Sequence, residues 1–245
     1  MVRVEPTAKR IRVHLGGEPV VDTIGACLVW EDRPYPAYYV PLADVVAGAL
    51  RPTARTEESP ERGLAQYFDV VSGGRTAAEA AWSYPDSPVE SLRHLVRLSW
   101  AAMDAWFEED EEVFVHPRDP HARVDILASS RHVVVSLDGV RLADSRQPRI
   151  LFETGLPARY YLPLPDVRLE LLRPSETVSM CPYKGTATYW SVQVGERLVR
   201  DLVWTYRTPV VESVKIAGLA CFFNEHVDLT VDGAQQQRPV TAFSQ

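Results

Sequence analysis

The chain contains an internal repeat, which constrains its fold more than any other feature. Residues 10–91 align without a gap on residues 132–213, at a constant offset of 122 positions. VHLGGEPVVDT then falls on VSLDGVRLADS, and WSYPDSPVES falls on WTYRTPVVES. A register kept over this length indicates two copies of one domain, each about 110 residues long. The prolines and mixed charge of HPRDPHARVD mark a linker, so we expect domains at residues 1–120 and 121–245.

Each copy is predicted to be mainly β. RHVVVSLDGVRLADS has the pattern of a hairpin with an Asp-Gly turn, and IRVHLGGEPVVDT has the same pattern with Gly-Gly. The apolar spacing of residues 89–107 predicts one helix, with a shorter counterpart in VESVKIAGLACFF. Because the two helices differ in length, Trp106–Glu108 is expected to align with Phe222–Asn224. We therefore expect a β-rich α+β fold with two tandem homologous domains, each a small curved antiparallel β-sheet sandwich or incomplete barrel with one helix.

Composition limits the functional classes. The net charge of −7 over 245 residues repels polyanions, so no nucleic-acid partner is expected. No apolar run approaches the length of a membrane span, and MVRVEPTAKR lacks the apolar stretch of a signal peptide, so we expect a cytoplasmic protein with no membrane partner. Cys27, Cys181 and Cys221 are too far apart for a disulfide framework or a CxxC zinc site. No metal or cofactor is expected, and a homodimer is compatible with the sequence.

Several short motifs of the second copy carry a family resemblance. FET, RYYLP, CPYKG, the Tyr189-Trp190 pair and a later WxY resemble the domain of unknown function 427 family, here as a tandem two-copy protein of the actinobacterial and hence bacterial type. The resemblance implies a small β-rich domain, and the family also carries a nucleotidyltransferase-like label. The chain lacks the Gly-Ser and paired-aspartate pattern of metal-dependent nucleotidyl transfer and has no Gly-rich phosphate loop, so that activity is not expected.

The two copies differ at reactive positions. Cys181 and Lys184 are replaced by Ser59 and Arg62 in the first copy, and Ala37 replaces Arg159 there. We therefore expect the active or binding site in the second repeat, with the first repeat carrying a degenerate motif. The second copy matches the family pattern at Glu153, Arg159, Tyr160, Cys181, Lys184, Gly185, Tyr189, Trp190, Trp204 and Tyr206.

Lys184, Glu153 and Cys181 are the candidate catalytic residues. The turn imposed by Pro182 could bring the Lys184 ammonium near the Cys181 sulfur and favour a thiolate, although a small buried cysteine is the simpler interpretation. Lys184 could clamp an anion or form a Schiff base, or could be a solvated strand-end lysine. On a regular strand it would share a face with Thr186, Thr188 and Trp190.

Glu153 and the candidate ligand-binding residues have two interpretations each. A hairpin could pair Glu153 with Arg159 as a structural salt bridge, or Glu153 could reach Lys184 as a proton-transfer pair. The remaining aromatic candidates could contact a ligand or fill the core; they are Tyr160, Tyr189, Trp190, Trp204 and Tyr206.

Three functions from different classes fit these residues. The first is an enzyme acting on a small polar or anionic molecule, with a Lys/Glu/Arg/Tyr pocket in the second repeat. The second is a non-catalytic binder of a small polar ligand. The third is a structural or protein-interaction module, for which Lys184 would be fully solvated.

Overall fold

The structure is a computed structural model that describes residues 2–244, and it divides into two compact units, Met1–Asp119 and Pro120–Gln245. The strands of the first repeat are β1 Arg3–Pro6, β2 Ile11–Leu15, β3 Glu18–Thr23, β4 Cys27–Trp30, β5 Ala37–Pro41, β6 Leu50–Ser59, β7 Gly63–Ser72, β8 Arg75–Ser83, β9 Leu95–Leu98, β10 Ala105–Glu108 and β11 Glu111–Glu112. Those of the second repeat are β12 Val124–Ala128, β13 Val133–Leu137, β14 Val140–Ser145, β15 Arg149–Glu153, β16 Arg159–Leu162, β17 Leu172–Cys181, β18 Gly185–Val194, β19 Arg197–Pro209, β20 Ala220–Phe222, β21 Asp228–Val231 and β22 Ala234–Gln235. Short 3₁₀ segments cover Leu42–Asp44, Glu90–Leu92, Trp100–Ala102, Leu164–Asp166, Leu169–Leu171 and Val211–Ile216.

Each repeat has one long and one short antiparallel sheet with the same topology. In the first repeat the long sheet has the order β1-β4-β5-β9-β8-β7-β6 and the short sheet β11-β10-β2-β3. In the second repeat the orders are β12-β15-β16-β20-β19-β18-β17 and β14-β13-β21-β22. This confirms the predicted tandem, mainly β fold with antiparallel sheets, and neither half closes into a barrel. No helix within residues 2–244 combines the length and the apolar character that a membrane crossing requires.

The core of each repeat lies between its two sheets. On β13, Val133, Val135 and Leu137 are buried while the residues between them are half-buried, as expected for alternating side chains on a strand. Residues from the short sheet meet Leu162, Val192, Val203 and Phe222 of the long sheet. The hairpin before β14 turns through Asp138 and Gly139, both at positive φ, which confirms the predicted Asp-Gly turn.

The prediction of a helix at residues 89–107 is wrong. This segment contains two short 3₁₀ turns and the strands β9 and β10. Leu95, Val96 and Leu98 are all buried because β9 is a central strand whose two faces pack against different clusters. Burial on both faces removes the two-residue alternation and gives an apolar spacing that resembles a helix.

The predicted alignment of Trp106–Glu108 with Phe222–Asn224 is also wrong. Trp106 on β10 pairs with Val13, and Leu229 on β21 pairs with Val135, the residue equivalent to Val13. Trp106 therefore corresponds to Leu229. Strand β9 corresponds instead to β20, since each lies between the same two neighbours in its long sheet.

Candidate functional site

The candidate site lies on the face of the second repeat's long sheet that points away from its short sheet. We call the buried residues of this face the outer cluster. Its members come from the long sheet and from the 3₁₀ segment after β19; they are Ile126, Leu151, Tyr161, Ala187, Trp204, Tyr206, Ile216 and Cys221. None of them belongs to the core cluster between the sheets.

An ion pair between Glu153 and Lys184 lies at the edge of the outer cluster. Glu153 ends β15, two residues after Leu151, so its side chain is on the same face. The Lys184 Nζ donates to Glu153 Oε2 at 2.5 Å, and each side chain is 11% exposed. Of the two partners predicted for Glu153, the structure brings Lys184 to it.

Lys184 reaches Glu153 because it lies in the turn between β17 and β18. Its backbone N–H donates to the Cys181 carbonyl at 3.3 Å, and its carbonyl accepts from Val210. Gly185 follows at φ +95°, and a bulge separates Gly185 from Ala187 in the pairing with β19. The predicted common face of Lys184 and Trp190 is therefore wrong, because the turn and bulge interrupt the alternation.

Arg159 pairs with Glu225 and not with Glu153. Its two terminal nitrogens donate to the two Glu225 carboxylate oxygens, each at 2.7 Å. The two side chains are 8% and 0% exposed, and the Thr241 hydroxyl also donates to Glu225 at 2.7 Å. Burial alone would favour the neutral acid, but the hydrogen bonds from Arg159 and Thr241 lower the pKa of Glu225 to about 2. The guanidinium of Arg159 is thus held in a structural pair.

The phenol and thiol groups of the outer cluster are held neutral by burial. Burial, with the neighbouring Cys221 sulfur, raises the pKa of Tyr161 well above its usual range, and the Tyr161 hydroxyl accepts a hydrogen bond from Trp204 Nε1 at 3.1 Å. Burial also raises the pKa of Tyr206, with a further contribution from Cys181. Cys221 is fully buried, and this burial raises the pKa of its thiol. These groups can donate hydrogen bonds at neutral pH, but they are not ionised there.

The other predicted site residues fall on both faces of the sheet. Tyr189 packs against the outer cluster and its hydroxyl lies 2.7 Å from Ser179 Oγ, while Trp204 is a member of that cluster. Cys181 is half-buried at the end of β17. Tyr160 and Trp190 pack instead against the core between the sheets.

Three residues of this region were missed from the sequence. Tyr161 and Cys221 face each other across β16 and β20, and Glu225 follows β20. In the RYYL segment, the two-residue period of a strand places Tyr161, and not Tyr160, on the face of Arg159. That signal was available, whereas the Glu225 pairing depends on a contact 66 residues away in the chain.

The first repeat surrounds its equivalent glutamate with more donors. Glu31, equivalent to Glu153, accepts hydrogen bonds from the Tyr39 hydroxyl and from Arg97, and Arg62 Nε lies 3.6 Å from it. Arg62, at the position of Lys184, also donates to the Tyr84 hydroxyl at 3.2 Å. Arg97 pairs in register with Tyr39 as Cys221 pairs with Tyr161, so an arginine stands where the second repeat has Cys221.

Comparison with protein families gives one match in each repeat. A family model described as a domain of unknown function (DUF427), with the label NTP_transf_9, matches residues 3–109 and 125–233. The resemblance expected from the sequence motifs is thereby confirmed. No curated protein matches the chain. Among residues 2–244, no group of three or more His, Cys, Asp and Glu side chains is arranged to hold a metal ion.

Proposed function

For a chain that belongs to the DUF427 family in both of its halves, we propose that the second repeat acts on a small polar or anionic molecule at the Glu153–Lys184 pair. The observation that carries this proposal is the pair itself, a close carboxylate–ammonium contact with both side chains 11% exposed. Such a pair is largely shielded from bulk water, and a ligand would meet it through the small fraction that is exposed. Partial burial strengthens its interaction with an incoming charged or polar group.

Each member of the pair has a role in this proposal. Lys184 would hold an anionic or carbonyl oxygen of the ligand, because an ammonium group offers three donors to one acceptor. Displaced from Lys184, the Glu153 carboxylate would accept a proton from the bound molecule, as a general base in hydrogen-bond reach does. The nearby Tyr206 phenol would contribute a neutral hydrogen-bond donor.

A non-catalytic binder is the second candidate, and the state of the phenols and thiol favours it. Burial raises the pKa values of Tyr161, Tyr206 and Cys221, so none of the three is an activated nucleophile at neutral pH. In this version the same pair fixes the ligand, and the ligand leaves unchanged.

Lysine methylation offers a direct test because the chain has only three lysines, Lys9, Lys184 and Lys215. Reductive ¹³C-methylation gives each lysine its own NMR signal, assigned with Lys→Arg variants. Acetate, pyruvate, inorganic phosphate and AMP are then titrated separately. We expect at least one of them to shift the Lys184 signal saturably. The Lys215 signal should not move, because that amine is hydrogen-bonded to the Ile126 carbonyl. If no probe moves the Lys184 signal, the proposal fails.

Proton NMR of the probe that binds separates enzyme from binder. A change of the probe with time that disappears in Glu153→Gln, with the fold retained, supports an enzyme. Saturable binding with the probe unchanged after prolonged incubation supports the binder. Cys181→Ser should leave either outcome unaffected if Lys184 and Glu153 carry the function, and a loss in Cys181→Ser would assign a role to that thiol.

A further inference from the structure

The first repeat contains a cavity that reaches the ion pair between Glu31 and Arg97. This cavity, with a volume of about 40 Å³, is lined by Glu31, Arg33, Tyr35 and Arg97 together with Ala37 and Trp100. About three water-sized groups fill such a volume. The cavity is therefore large enough for a carboxylate group, and a ring that carries it would extend beyond this volume.

The charges at this cavity favour an anion. Two guanidinium groups, Arg33 and Arg97, face it with one carboxylate, Glu31. The Arg97 side chain is 20% exposed although it is paired with Glu31, and it lines the cavity. Arg33 is exposed, and its Nη1 donates to the Tyr35 hydroxyl at 2.8 Å. An arginine fork binds a carboxylate through two parallel hydrogen bonds.

Aromatic rings form the walls of the same cavity. Trp100 and Trp106 stack at 4.5 Å with nearly parallel planes, and Tyr35 stacks on His116 at 3.9 Å. All four rings line the cavity. Flat apolar walls beside guanidinium groups suit a ligand with a planar ring and an acidic group, because ring stacking and ion pairing then act together.

The corresponding cavity of the second repeat does not extend to its glutamate. Its cavity at the corresponding strand end is lined by Tyr160 and Leu229, the counterparts of Tyr38 and Trp106, but it does not include Glu153. Arg159, at the position of Ala37, points its guanidinium over the Trp204 ring at 5.6 Å and pairs with Glu225. The small side chain of Ala37 leaves the corresponding space open.

We infer that the first repeat binds a small aromatic monocarboxylate, with the carboxylate in the cavity on Arg33 and Arg97 and the ring against the aromatic side chains that line it. This site is separate from the one proposed for the second repeat, and its ligand is recognised by both charge and planarity. The first repeat is then a binding domain in its own right and not only a degenerate copy.

Benzoate and benzamide form a matched pair of probes, because they share the ring and differ in charge. Binding is followed by tryptophan fluorescence and by isothermal titration. We expect benzoate to bind saturably and benzamide to bind at least about tenfold more weakly, since the charge-assisted hydrogen bonds are lost. Equal binding of the two, or no binding of benzoate, would overturn the inference.

Two variants locate the site. Arg33→Gln removes an exposed guanidinium and should weaken benzoate binding about tenfold without unfolding the protein, whereas the control Arg207→Gln, an exposed arginine of the second repeat, should leave it unchanged. Ala37→Leu should fill the cavity and abolish binding. Benzoate affinity that survives Arg33→Gln and a folded Ala37→Leu would refute this site. Lys184→Met should not alter benzoate affinity, so this result is independent of the function proposed for the second repeat.

Discussion

The two repeats share a topology but neutralise an equivalent, nearly buried glutamate in different ways. In the first repeat, Glu31 is surrounded by Tyr39, Arg97 and Arg62. In the second repeat, Glu153 has the Lys184 ammonium, while Arg159 is paired elsewhere with Glu225. The first carboxylate is held by rigid guanidinium forks, and the second by one compact ammonium on a flexible stem.

The difference shows that the fold accommodates an arginine paired with a carboxylate on either of two neighbouring strands. The first repeat places it on β9 at Arg97, with Ala37 on the adjacent β5. The second places it on β16 at Arg159, with Cys221 on the adjacent β20. In both repeats the guanidinium has a carboxylate partner, because an unpaired buried charge costs several kcal/mol. The cavity that reaches the glutamate is in the repeat whose arginine is on β9.

Exchanging Arg159 for the residue of the first repeat should have the largest effect. Arg159→Ala leaves the Glu225 carboxylate buried with only Thr241, and we expect a loss of about 3–5 kcal/mol in the free energy of unfolding. Urea denaturation measures the loss, and hydrogen exchange should localise it to residues 124–235. The control Arg123→Ala, which breaks an exposed pair with Asp125, should cost no more than about 0.5 kcal/mol. A similar cost in both variants would contradict the importance of the buried pair.

Low pH should have the next largest effect, by destabilising the second repeat through Glu225. The pKa of Glu225 is lowered to about 2 in the folded state, below that of an unfolded glutamate. The resulting stabilisation is fully present above pH 4.5 or so and is lost as the pH falls towards 2, and it amounts to about 3 kcal/mol. The urea concentration at which the second repeat is half unfolded, monitored by hydrogen exchange, should therefore fall as the pH is lowered over this range. Glu225→Gln should flatten that dependence, and an unchanged slope would show that other carboxylates dominate it.

Removing the ammonium from Glu153 should have an intermediate effect. Lys184→Met leaves a nearly buried carboxylate without its main donor and should cost about 1–3 kcal/mol in the free energy of unfolding. Lys184→Arg restores a cation of the kind found at position 62 and should recover most of this loss. Lys215→Met is the matched control, because it removes a lysine that is hydrogen-bonded to a backbone carbonyl and not to a carboxylate. If Lys184→Met is as stable as the wild type, the Glu153–Lys184 pair does not contribute to the free energy of unfolding. Its presence is then better explained by the proposed role in binding.

Much of the fold could be predicted from the sequence, because its signals are local. The Asp138-Gly139 turn and the alternation on β13 depend on neighbouring residues, and the repeat itself needs only the comparison of two segments. The 89–107 segment was misassigned because burial on both faces of β9 hides the strand period. That error also hid the equivalence of Arg97 and Cys221.

The site was predictable only in part. The difference between Lys184 and Arg62 pointed to the correct turn, since one copy serves as a control for the other. The partner of Arg159 could not be found this way, because Glu225 lies beyond the aligned segment and the two repeats differ there. Pairing across 66 residues is set by tertiary packing, for which the one-dimensional pattern has no signal.

The smallest effect is expected from making the first repeat resemble the second. Arg62→Lys retains a positive charge near Glu31 but cannot also donate to the Tyr84 hydroxyl in the same geometry. Glu31 keeps Arg97 and Tyr39, so we expect a loss of only about 1 kcal/mol in the free energy of unfolding. Urea denaturation of Arg62→Lys beside Lys184→Met tests the comparison. A cost for Arg62→Lys as large as that of Lys184→Met would mean that Arg97 and Tyr39 do not compensate, and the two glutamates would then depend equally on the residue in the β6–β7 or β17–β18 turn.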